Sequence, residues 1–108
     1  MSTGRTKILT QITIIKHADA YFGVFDRSLN EFRDELLGRY VIVRLRLGNG
    51  NELAVRGRIT LTNEYIPPRL KVIFPRRLSP TLEKLHGMRI NTIIEYEEGE
   101  ENRISTSG

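Results

Sequence analysis

Arg44, Arg46, Arg56 and Arg58 stand at alternate positions on either side of Gly48-Asn49-Gly50-Asn51. In extended chain, residues two apart share a face, so a hairpin closed by that turn puts these guanidiniums on one surface. A guanidinium is planar, always charged, and presents paired N–H donors that match phosphate. The chemistry implied is capture of a polyanion rather than bond making. Arg69 and Lys71 would extend the patch from the next extended stretch, and Arg76 and Arg77 lie just past it. Stacking of unpaired bases needs rings; Tyr40, on the arginine face, and Tyr65, before Pro67, are the candidates. A plainer account is a solvated strand face balanced by Glu or Asp from elsewhere.

The hairpin register decides how crowded the patch is. In one register Arg44 sits directly opposite Arg56, and opposed like charges cost up to ~1 kcal/mol. One step tighter, Arg46 instead meets Glu52.

Other chemistry finds little to build on. His17 and Asp19 are two apart and His86 is remote from both, so no usual metal-ligand spacing is present. Each histidine reads as a surface residue. Glycine-rich phosphate loops, nucleophile elbows and H-E-x-x-H pairs are missing. Glu52, Glu64 and Glu83 would have to converge from loops and a short helix to act as an acid/base pair. The expectation is a non-enzymatic chain with no cofactor.

Charge is distributed unevenly along the 108 residues, whose net charge is +4. Residues 1–38 balance to zero, residues 39–94 carry eleven Lys/Arg against three Asp/Glu, and residues 95–108 carry five Glu against Arg103. Of the cations 13 are Arg and 4 are Lys, a preference suited to phosphate and equally to heat-stable surface networks. Hydrophobic residues make up 39% and charged residues 28% of the chain, enough for one packed domain. There is no Cys, which removes disulfides and thiolate chemistry and fits a reducing cytoplasm. No apolar run approaches the ~20 residues of a membrane helix, and no leader-like segment follows Met1. A cytoplasmic location is expected.

The elements that must position the arginines follow from periodicity. Residues 8–15 read as a strand with Ile8, Ile12 and Ile14 on one face and Leu9 and Ile15 on the other, a pattern of two-sided burial or of exchange with a partner. Residues 16–27 read as a connection whose Tyr21, Phe22 and Phe25 cover an open end of the sheet. Ser28 and Glu31 have capping-box spacing before a helix carrying Leu29, Phe32 and Leu36, with Gly38 as its left-handed cap. A meander of three strands follows. Its inward residues are Val41, Val43, Leu45 and Leu47, then Leu53, Val55, Gly57, Ile59 and Leu61, then Leu70, Val72 and Phe74. Ser79-Pro80 opens a short helix as N-cap and first residue, and residues 88–96 form a last strand. The fold class is mainly β with two helices, a small antiparallel barrel-like sheet of five to six strands. Residues 1–97 form the domain, and 98–108 an acidic disordered tail that solubilises the chain or folds back to compete for the patch.

Leu37-Gly38-Arg39 followed by Val41-x-Val43-x-Leu45-x-x-Gly48, with Gly57-x-Ile59 later, resembles the first motif of the Sm-like small barrels. Gly87-Met88-Arg89-Ile90-Asn91-Thr92-Ile93 resembles their second. His86 replaces the arginine expected before that glycine, and Asn63-Glu64-Tyr65-Ile66 departs from Asp-x-x-x-Asn. The resemblance implies RNA as ligand, a ring-like homo-oligomer, and Asn63, Tyr65, His86 and Gly87 near the RNA-binding loops. Gly57-Arg58-Ile59-Thr60-Leu61, and the helix leading through Gly87, are similar to the AbrB-like cradle-loop barrels, which would imply DNA and an intertwined dimer. The alternative to nucleic acid is an assembly module that buries residues 8–15 against a partner.

Overall fold

Alternating side chains leave each strand one apolar face, and six such strands bury it by closing on themselves. The computed structural model describes residues 4–97. Its strands are β1 (Arg5–His17), β2 (Ala20–Phe25), β3 (Tyr40–Arg46), β4 (Glu52–Thr62), β5 (Arg69–Ile73) and β6 (Arg89–Glu97). They form a closed barrel in the order β1-β2-β5-β4-β3-β6, antiparallel at every paired neighbour. Closure leaves no free edge within the sheet. The fold is thus a small α+β barrel, as the periodicity indicates. Among the described residues no helix is long and apolar enough to cross a membrane.

The barrel interior is filled by Ile12, Ile14, Phe25, Val43, Leu45, Ile59, Leu70, Val72 and Ile94, each essentially inaccessible. Leu29, Leu36 and Leu82 join this core from the helical segments. Gly57 points inward from β4, and a Cβ there would stand 2.4 Å from Cγ2 of Val72. Its lack of a side chain leaves room on the inner face for Val72 of the adjacent strand β5.

Four sequence expectations need correction. The segment read as a connection contains β2, so Tyr21 and Phe25 are buried core residues instead of a cover, and Phe22 faces out. β1 is not apolar on two buried faces: Ile12 and Ile14 are buried while Leu9 is 78% exposed. Its inner face is used in this chain's own barrel, between β2 and β6. The helix after β2 is a 3₁₀ segment, Arg27–Phe32, running into one α-turn, α1 (Arg33–Leu36). Its cap is Asp26, whose carboxylate accepts from the Ser28 backbone N–H at 3.0 Å and from the Ser28 hydroxyl at 2.6 Å. Asp26 stands two residues before Ser28, next to the end of β2, so it reaches the free N–H first and the Ser28–Glu31 box does not form.

The Gly38 turn and the short helix before the last strand behave as read, and the cap of that helix does not. Gly38 has φ +86 and its N–H donates to the Ile59 carbonyl at 2.8 Å, turning the chain into β3. The helix before the last strand is α2 (Ser79–Glu83), preceded by a 3₁₀ turn at Arg76–Leu78. Ser79 is its first helical residue and Leu78 the cap, so the side chain of Ser79 does not cap it. The expected acidic disordered tail, residues 98–108, lies outside the described residues.

Candidate nucleic-acid interface

The β3–β4 pair adopts the tighter register, with Arg46 opposite Glu52, Arg44 opposite Ala54, Ile42 opposite Arg56 and Tyr40 opposite Arg58. No arginine faces another directly, which avoids the like-charge penalty. The hairpin turn uses left-handed backbone at Asn49 and Gly50.

Arg44 is held by carboxylates. Its Nε donates to Oε1 of Glu95 at 2.7 Å, and Nη1 reaches Oε1 of Glu52 at 3.4 Å. Glu95 points outward from β6, yet its side chain is only 7% exposed. Arg5 (3.5 Å) and Lys7 (3.8 Å) approach its other oxygen. The Arg44 hydrogen bond holds the Glu95 carboxyl below the usual carboxylate range; Lys7 and Arg5 add to this, and burial opposes it. The same bond, with the field of Glu95, pushes the Arg44 guanidinium up. Arg44 therefore stitches β3 to β6 and is withdrawn from the patch.

Arg56, Arg58, Arg69 and Lys71 behave differently. Among the described residues none has a carboxylate within ion-pairing distance. Three lie over rings instead: Arg56 over Tyr40 at 5.2 Å, Lys71 over Phe22 at 5.0 Å and Arg69 over Tyr65 at 4.6 Å from the centroids. Each such contact contributes about 0.5–1 kcal/mol at an exposed site and fixes the direction of a long side chain. Arg58 is oriented by its Nε, which donates to the Gly38 carbonyl at 3.3 Å.

Register sets these groups side by side. Tyr40 is opposite Arg58, and Phe22 is opposite Ile73. The β4–β5 pairing, Ile59 opposite Val72, places Arg58 beside Ile73. A straight outward row thus crosses β3, β4, β5 and β2 as Tyr40, Arg58, Ile73, Phe22. Arg56 flanks it on one side, with Thr60 and Lys71 on the other. Tyr40 is 47% and Ile73 53% exposed. At about 4.8 Å per strand the row spans three intervals, roughly 14 Å.

Acidic groups bound the patch. Beyond Tyr40 a shallow recess of about 270 Å³ is lined by Arg5, Arg56, Glu95 and Glu97. At the opposite corner Asp26 bonds Arg89 and lies in the field of Arg69. The two Ser28 hydrogen bonds hold its carboxyl low, Arg89 and Arg69 add to this, and burial opposes it.

The sequence-expected residues are therefore divided. Arg56, Arg58, Arg69, Lys71, Tyr40 and Tyr65 share the β3–β4–β5 face or its adjoining loop. Arg44 is committed elsewhere, and Arg46 sits at the hairpin end opposite Glu52. Phe22 was missed as a partner, although the alternation Tyr21 in, Phe22 out would have placed it once β2 was recognised. Arg76 and Arg77 are exposed in the turn after β5. Asn63 and Tyr65 lie between β4 and β5, while His86 and Gly87 lie in the turn entering β6. His17 and His86 are exposed and pack edge-on to Phe22 and Tyr21. Among the described residues no group of three or more His, Cys, Asp or Glu converges as metal ligands would. Compared with known protein families, curated proteins and solved structures, the chain matches none.

Proposed function

We propose that this chain is a non-enzymatic nucleic-acid-binding module whose interface is the outer face of β4 and β5 with the adjoining edges of β3 and β2. One observation carries the reading: Arg56, Arg58, Arg69 and Lys71 lack ion-pair partners among the described residues, although the barrel readily neutralises Arg44 a strand away. Phosphates supply the counter-charge such a group needs. RNA is favoured over duplex DNA. The α-helices among the described residues span four and five residues, too short to lie along a major groove, whereas a strand face with exposed rings suits unpaired bases. The Sm-like resemblance points the same way.

Fluorescence anisotropy with labelled single-stranded RNA and with duplex DNA, at about 50 and 200 mM salt, tests this. Binding that weakens steeply with salt and prefers the RNA supports the reading. No binding to either at the lower salt refutes it.

A second reading, assembly with another copy of the chain or with a protein partner, is favoured by Leu9. That residue is 78% exposed and lines a groove with Leu47, Ile93, Arg46 and Asn91. Leu9→Lys would lower the mass seen by light scattering if the groove holds a second copy; an unchanged mass would count against it.

A further inference from the structure

Resting on the nucleic-acid reading, we infer that the ligand is an unpaired strand whose bases lie along the Tyr40–Arg58–Ile73–Phe22 row, with Arg56 and Lys71 taking phosphates on its two sides. A surface that reads only phosphate needs cations and no apolar groups between them. This row instead alternates ring, guanidinium, branched aliphatic and ring. Ile73 is half exposed on β5, beside Arg58 of β4 and two residues from Lys71, where burial under a base would remove apolar area from water. Arg58 presents a planar face that stacks as a ring does. The rings of Tyr40 and Phe22 are already steadied by Arg56 and Lys71, so little side-chain freedom is lost on binding.

In a duplex the bases pair edge to edge and stack face on face with their neighbours, leaving only groove edges open, so a duplex could not use the row. The roughly 14 Å span presents one side chain per strand, four in all, so the row takes at most about four bases.

The experiment compares three labelled probes of equal length on the full chain: a single-stranded RNA, its abasic counterpart, and the RNA paired to its complement. The single strand is expected to bind at least tenfold more tightly than the other two. Ile73→Ser and Phe22→Leu should each weaken only the base-bearing single strand, with the salt dependence unchanged. Equal affinity for all three probes would overturn the stacking row and leave phosphate binding intact. Preference for the duplex would do the same. Binding of none would overturn both.

Discussion

Replacing Arg56 and Lys71 together by glutamine separates phosphate binding from folding. Neither side chain makes an ion pair among the described residues; each only lies over a ring. The folding cost is therefore about 0.5–1 kcal/mol per site, and the barrel should remain intact by circular dichroism. For a single strand, log affinity falls with log salt at about −0.7 per phosphate neutralised. With Arg56, Arg69 and Lys71 each engaging one phosphate the slope is about −2.1, so raising salt fourfold, from about 50 to 200 mM, lowers affinity roughly 18-fold. The double variant keeps one contact, a slope of about −0.7, and a loss of only about threefold over the same range. Anisotropy titrations at several salt concentrations measure both slopes. A double variant with the slope of the unaltered chain would refute the assignment of these cations to phosphate.

Other outcomes follow from the same geometry. Arg44→Met should lower thermal stability while leaving the salt slope of binding unchanged, because Arg44 serves Glu95; a changed slope would return it to the interface. Glu95 and Asp26 have folded-state pKa values below their ordinary 4.5 and 3.8. The stability they contribute is present above those values and lost as pH falls through the lowered ones. Glu95→Gln should accordingly flatten the acid limb of a stability–pH curve. The Tyr96 hydroxyl donates to Oε2 of Glu35 at 2.7 Å, and burial first, then that bond, pushes its pKa up to about 12. Its contribution is full below pH 10 and lost as pH rises toward about 12, a window that Tyr96→Phe should remove from alkaline unfolding curves. Gly57→Val should destabilise the barrel by about 1–3 kcal/mol in urea unfolding, by crowding Val72.

Much of this was legible in the sequence because barrel strands keep a period of two. Val41, Val43, Leu45, Val55 and Ile59 were assigned inward from alternation alone and are buried. β2 was not legible: Tyr21 and Phe25 frame Gly23 and Val24, so its inner and outer residues are almost equally apolar. Its pairing with β1 is a local hairpin, His17 opposite Ala20, but its other partner, β5, is far off in sequence and meets it only when the barrel closes. The separation of Arg44 from Arg56 was likewise hidden, since both follow the same outward alternation. What distinguishes them is Glu95, 51 residues away in sequence from Arg44 and brought beside it by the β3–β6 register. Charge pattern found the patch, and long-range pairing decided its members.

Amide chemical-shift mapping of the isotope-labelled chain with a short single-stranded RNA addresses the interface itself. The account expects shifts clustered at Tyr40, Arg56, Arg58, Lys71, Ile73 and Phe22, with Leu9 and Asn91 on the β1–β6 face unmoved. Shifts confined to the β1–β6 face, or none at RNA concentrations that saturate anisotropy, would contradict it.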